Sequence, residues 1–140
     1  YTTFEDVTAR KEAEKALAVA LERVEMAFEA TGSAWWDWDT RTNRVAASPR
    51  KFELVGTEPG AAESTLDYWT GRIHPDDRDA AMEAMRACLE GREPVYSATY
   101  RLQHQDGSWV RCQDHGRIAE WDGDGKPVRV IGAARWIEKA

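Results

Sequence analysis

The residues of this 140-residue chain that could do chemistry are three histidines, two cysteines and a few close acidic pairs. Asp76-Asp77 could be imagined as acid and base. Adjacent residues on a helix project differently, however, and two carboxylates in a first turn complement the positive end of the helix dipole. Asp122-Gly123-Asp124-Gly125 has the opening spacing of a calcium loop, but the twelfth position, where a bidentate Glu belongs, is Ala133, so the segment reads as a hairpin turn. His74, the only histidine near the long central helix, is the residue to consider as an axial haem ligand, and its neighbour Pro75 gives it a helix-start role instead. His104 and His115 fall on turn or strand positions without paired ligands, so no metal site is expected. Cys88 reads as a small buried hydrophobe on a helix and Cys112 as a strand residue, too few and too scattered for a disulfide framework. No Gly-rich phosphate loop opens a helix and no Ser-His-Asp or Cys-His set can be argued from spacing, so no catalytic residue is expected.

The elements that would position these residues follow from composition and period. Apolar residues make up 42% of the chain and seven tryptophans add large buried areas, enough for one modest core. A net charge of −6 with pI near 5.1 gives no basic field, which argues against nucleic acid and anionic membrane surfaces as partners. No apolar run reaches the length of a membrane span, and the scattered cysteines fit a reducing cytoplasm. Both ends read as cut from a longer, multidomain protein.

Residues 9 to 31 carry Ala13, Ala16, Leu17, Ala20, Leu21, Val24, Ala27 and Phe28 at spacings of three and four, a narrow heptad-like stripe with charges on the other faces. This predicts an amphipathic coiled-coil helix, capped by Asp6 or Thr8 and ended at Thr31-Gly32, with Leu17, Leu21, Val24 and Phe28 at a dimer seam. From Gly32 the period changes to two. Strands are expected at 33–39, with Trp36 and Trp38 on one face, and at 44–47. Ser48-Pro49 starts a short helix that stops at Gly56, a loop follows at 57–63, and one or two helical turns carry Leu66, Tyr68, Trp69 and Ile73. His74-Pro75-Asp76-Asp77 precedes a longer amphipathic helix ending at Gly91. Three strands, at 95–102, 108–121 and 127–137, are joined by Asp-Gly hairpin turns that supply the required positive φ. The predicted class is α+β, a five-stranded antiparallel sheet with helices between strands two and three.

Several motifs in this order resemble the PAS family, in particular its members with a C-terminal PAC motif. They are Trp36-Asp37-Trp38-Asp39 with Thr42-Asn43-Arg44-Val45; Ser48-Pro49-Arg50 with Glu53-Leu54-Val55-Gly56; Trp69 with Arg72-Ile73-His74-Pro75-Asp76-Asp77-Arg78; Tyr100-Arg101-Leu102; Asp106-Gly107-Ser108-Trp109; Gly116-Arg117; and Gly125-Lys126-Pro127. The stretch from Phe4 to Glu14 looks like the Asp-Ile-Thr linker with which such domains hand over to a helix, which implies a further PAS domain upstream. At the exit, Gly132 to Glu138 resembles the same linker, except that Trp136 and Glu138 replace its Asp and Thr. The expected organisation is a linker and helix over 1–31 and a PAS/PAC domain over 32–137.

The resemblance implies a curled sheet around a small cavity in which relatives hold haem, flavin, a small metabolite or nothing. Phe52, Trp69, Ile73, Met82, Met85, Tyr100 and Trp109 are the residues expected to gather there, as a pocket for an unknown small ligand or as a filled core. No cofactor is predicted, and the Asn-Cys-Arg-Phe stretch that flavin photochemistry of the LOV kind would need is absent. The expected function is a non-catalytic sensory and dimerisation module. It would form a homodimer through the first helix, which is also the natural cover for the sheet's outer face, and would be linked to a histidine kinase or diguanylate cyclase.

Overall fold

The computed structural model describes residues 3–60 and 63–139, and the side chains up to residue 137. Tyr1, Ala140, part of the expected 57–63 loop and the side chain of Glu138 lie outside the described residues. The chain divides into two compact units, Tyr1–Gly32 and Ser33–Ala140.

The first unit is helix α1, Phe4–Thr31. It starts earlier than the apolar stripe suggests because Thr3, not Asp6 or Thr8, is the cap. The Thr3 side chain accepts from the Asp6 N–H while Asp6 answers the Thr3 N–H, a reciprocal capping box. Thr8 instead returns its hydroxyl to the Phe4 carbonyl. Gly32, at φ 68°, ends the helix, since only glycine adopts the left-handed conformation freely.

The second unit runs β1 (Ser33–Asp39), β2 (Arg44–Ala47), α2 (Pro49–Leu54), α3 (Leu66–Thr70), α4 (Pro75–Leu89), β3 (Tyr96–Gln103), β4 (Trp109–Trp121) and β5 (Pro127–Lys139). All neighbours pair antiparallel in the order β2-β1-β5-β4-β3, so the first and last strands meet in the middle of the sheet. The element order and the five-stranded sheet agree with the expectation. Period-two alternation sends Trp36 and Trp38 of β1, Tyr96, Tyr100 and Leu102 of β3 and Val110 and Cys112 of β4 into the core. There they meet Phe52, Val55, Trp69, Ile73, Ala81 and Cys88 from the helical side. On the opposite face Asp37 binds the Arg129 guanidinium through both carboxylate oxygens. Trp136 is a β5 strand residue packed against the core.

The segment that opens α4 is fastened to β3 like a short extra strand. The His74 N–H donates to the Arg101 carbonyl at 2.8 Å, the Gln103 N–H to the Arg72 carbonyl at 2.8 Å, and Ile73 bridges Leu102. His74 caps α4 by accepting the Asp76 N–H on Nδ1, and its ring stacks on Trp109 at 4.6 Å. Asp77 is therefore more than a dipole partner: its carboxylate accepts the Arg101 backbone N–H at 2.9 Å and both arms of the Arg101 guanidinium at 2.8 and 3.0 Å. These bonds hold the Asp77 carboxyl at about 2, below the ordinary 3.8. Because the folded value is the lower one, the contribution is complete above about pH 4 and is lost as pH falls through 2. Asp77→Asn is expected to cost about 2 kcal/mol at pH 7 in urea melts, with the gap to wild type shrinking to a few tenths near pH 2.

A buried Lys-Asp cavity as candidate functional site

Asp114 occupies an inward position of β4, on the face shared with Val110 and Cys112, and is only 4% exposed. A carboxylate there needs donors, and the sheet supplies them from both sides. The Trp36 indole N–H of β1 donates to Oδ1 at 2.7 Å, and the Tyr100 hydroxyl of β3 donates to Oδ2 at 2.8 Å. Trp36 reaches β4 only by lying across β5. A cross-strand pair of glycines, Gly116 and Gly132, makes that passage. A Cβ at Gly132 would stand 2.3 Å from Trp36 Cζ2 and 2.2 Å from the His115 carbonyl oxygen, and one at Gly116 would stand 2.7 Å from Trp36 Cη2.

Facing this carboxylate from α2 is Lys51, also 4% exposed. Its ammonium lies 4.1 Å above the Trp69 ring and 5.9 Å from the Trp36 ring, close enough for cation–π attraction. Trp69 is held by its own indole N–H, which donates to Ser64 Oγ at 3.0 Å, and by edge contacts with Phe52 and Tyr68 at 5.2 and 5.1 Å. Burial lowers the Lys51 pKa, opposed by the Asp114 charge, and burial raises that of Asp114, opposed by Lys51 and the two hydrogen-bond donors. Tyr100, Tyr96 and Cys112 are all pushed up, first by burial and then by the neighbouring Asp114 charge.

Lys51, Asp114, Trp36, Trp69 and Tyr100 line an inner cavity of about 60 Å³. It adjoins an apolar mouth of about 210 Å³, and Trp38, Leu66, Thr70, Ile73, Met85 and Tyr96 line both spaces. Of the residues expected at a pocket, Trp69, Ile73, Met85 and Tyr100 line the inner space and Met82 lies at the mouth. Phe52 stands behind Trp69 in the core, and Trp109 lies away against His74. His74 is not among the cavity walls.

The polar end of the cavity, Lys51 with Asp114, follows no catalytic or metal-binding spacing in the sequence. The signal that could find it is a charge interrupting an apolar period: Asp114 falls in the alternation Val110, Cys112, Asp114, Gly116, Ile118, and Lys51 lies one helical turn before buried Val55. Among the described residues no group of histidine, cysteine and carboxylates could hold a metal ion, and no helix is long and apolar enough to cross a membrane.

Residues 44–134 match the family described as PAS fold. The chain belongs to the PAS family. It is 29% identical over 103 residues to a probable diguanylate cyclase, DgcE, of Escherichia coli K12, covering 74% of this chain and 9% of that protein. It is 36% identical over 63 residues to hybrid signal transduction histidine kinase A of Dictyostelium discoideum, covering 45% of this chain and 3% of that protein. The chain thus spans a small part of the curated relatives it matches, and the match lies in the PAS region. Among solved structures, a sensory box histidine kinase/response regulator from Burkholderia thailandensis superposes with a TM-score of 0.70 at 28% identity, covering 83% of this chain and 85% of that one. The N-terminal domain of a diguanylate cyclase with PAS/PAC sensor from Marinobacter aquaeolei shares the fold, with a TM-score of 0.66 at 23% identity over 76% of this chain and 95% of that one. The PAS domain is therefore of the kind carried by signal-transduction proteins.

The glycine trough supplies a direct test of the site's construction. Gly132→Ala is expected to displace Trp36 from Asp114 and to cost about 1–3 kcal/mol in urea melts followed by tryptophan fluorescence. Gly123→Ala, whose added Cβ meets nothing within 4 Å, is expected to stay within about 0.5 kcal/mol of wild type.

Proposed function

We propose that the chain is a non-catalytic sensory and dimerisation module of a cytoplasmic, bacterial signal-transduction protein, coupling the state of its cavity to the pairing of α1 and thereby to a covalently linked output domain. A histidine kinase or a diguanylate cyclase fits that output, because the relatives matched by the PAS region carry those names.

The observation that carries the dimerisation half is the state of α1. It is a 28-residue helix with no buried residue, on which Leu17, Leu21 and Val24 are 62%, 57% and 50% exposed. With Phe28 they follow the four-three-four spacing of a coiled-coil seam. A helix with such a stripe gains by pairing with a second copy, since covering each large aliphatic side chain is worth about 1.5–3 kcal/mol. The inner cavity and its mouth favour a ligand-responsive module over a scaffold with a filled core. A ligand acts on such a module only through unequal affinity for two arrangements of the seam.

Light scattering on the purified chain is expected to give a dimer mass. Leu21→Glu with Val24→Glu should shift the dimer dissociation constant upward by at least about 100-fold. A double variant that dimerises as wild type does would remove α1 from the interface.

A further inference from the structure

Resting on the reading of this cavity as a ligand site, we infer that it takes a monocarboxylate with an apolar tail, its carboxylate on the Lys51 ammonium and its tail in the mouth between α3 and α4. Three observations converge on that class. The first is the unmet demand of Lys51: an ammonium carries three N–H donors, yet among the described residues this one has no hydrogen-bond acceptor within bonding distance and lies against the faces of Trp69 and Trp36. A side chain 4% exposed and lining an open cavity is held ready for an acceptor that the fold itself does not provide.

The second is the condition of Asp114. Both of its oxygens are engaged, by the Trp36 indole and the Tyr100 hydroxyl, and it forms no ion pair with Lys51 within salt-bridge distance among the described residues. Its charge offsets that of Lys51 through space without occupying the ammonium's donors, leaving them for a guest oxygen.

The third is shape and polarity. The inner space of about 60 Å³ suits a carboxylate and its first carbons, taking about 10–15 Å³ for each water-sized sphere. The mouth is lined by Leu66, Ile73, Ala81, Met82, Met85 and Leu89, which offer a tail apolar contact and few polar anchors. Arg86, at the rim, is already held by Glu83. A sugar, a nucleotide or a dicarboxylate would leave polar groups unpaired in this mouth.

The test is titration of the full chain with octanoate and, separately, with 1-octanol, read by tryptophan fluorescence and by the shift in Tm. Octanoate is expected to saturate and to raise Tm, and octanol to bind at least tenfold more weakly. Lys51→Met, which replaces the ammonium with an apolar group of similar length, should keep a Tm at or above that of the ligand-free wild type. It should lose octanoate affinity at least tenfold while octanol affinity is unchanged. Octanol binding as tightly as octanoate, or octanoate binding unchanged in Lys51→Met, would overturn the carboxylate class while leaving the cavity as a ligand site. Failure of both probes to bind in both proteins would overturn the proposal, and native mass spectrometry of the purified chain then decides the broader reading, since a retained small molecule would keep the cavity as a sensor site for another class.

Discussion

The PAS unit is organised around one costly group, the buried Asp114 carboxylate. A carboxylate removed from water must be met by donors or it takes up a proton, and the donors here come from strands on either side of β4. Trp36 reaches it from β1 and Tyr100 from neighbouring β3, so the carboxylate ties the two halves of the sheet across β5. The glycine pair at 116 and 132 is a consequence of that tie, because an indole can cross two strands only where neither carries a side chain. The curl of the inner face around these groups leaves the space that Lys51 and Trp69 close from the helical side.

This arrangement differs from an apolar core in what it optimises. Replacing buried charges of opposite sign by apolar groups of similar volume is often neutral or stabilising, so Lys51 and Asp114, which stand beyond salt-bridge distance of each other, are a poor device for stability alone. What they add is polarity: the cavity presents fixed charged and hydrogen-bonding groups among apolar walls. The outer fastenings compensate locally. Asp77 and Arg101 pin the start of α4 to β3, and Ser64 pins Trp69 while also bonding the Val45 carbonyl, so the walls of the cavity are held by contacts that do not include the Lys51 ammonium.

The order of elements was legible in the sequence because it is written in period and punctuation. The Trp36/Trp38 alternation, Ser48-Pro49, His74-Pro75 and the Asp-Gly turns each have a local physical meaning that survives folding, and the strands and helices fall where those signals put them. The start of α1 was misplaced because the capping box at Thr3 and Asp6 lies outside the apolar stripe, where a search by hydrophobic spacing does not look. The polar end of the cavity was missed for a different reason. Asp114 and Lys51 are ordinary charged residues until the sheet forms, and their meaning depends on partners far away in sequence, as Trp36 and Asp114 show. The same holds for Gly132, whose role depends on an indole from another strand.

The strand that carries Trp36 is also the one next in sequence to the first helix. β1 carries Trp36, the group that reads Asp114 directly, and β1 begins at Ser33, immediately after the glycine that ends α1. β5, the chain's exit strand, is paired with β1 along its length and carries Gly132 under the same indole. Asp114 is therefore bonded to an indole that rests on both the first and the last strand of the sheet, and to the Tyr100 hydroxyl of β3. The inward-facing residues are packed as a core, and packed cores shift between discrete arrangements, not by continuous deformation. For a sheet built this way, the bond between Trp36 and Asp114 joins a wall of the cavity to strands β1 and β5 at once.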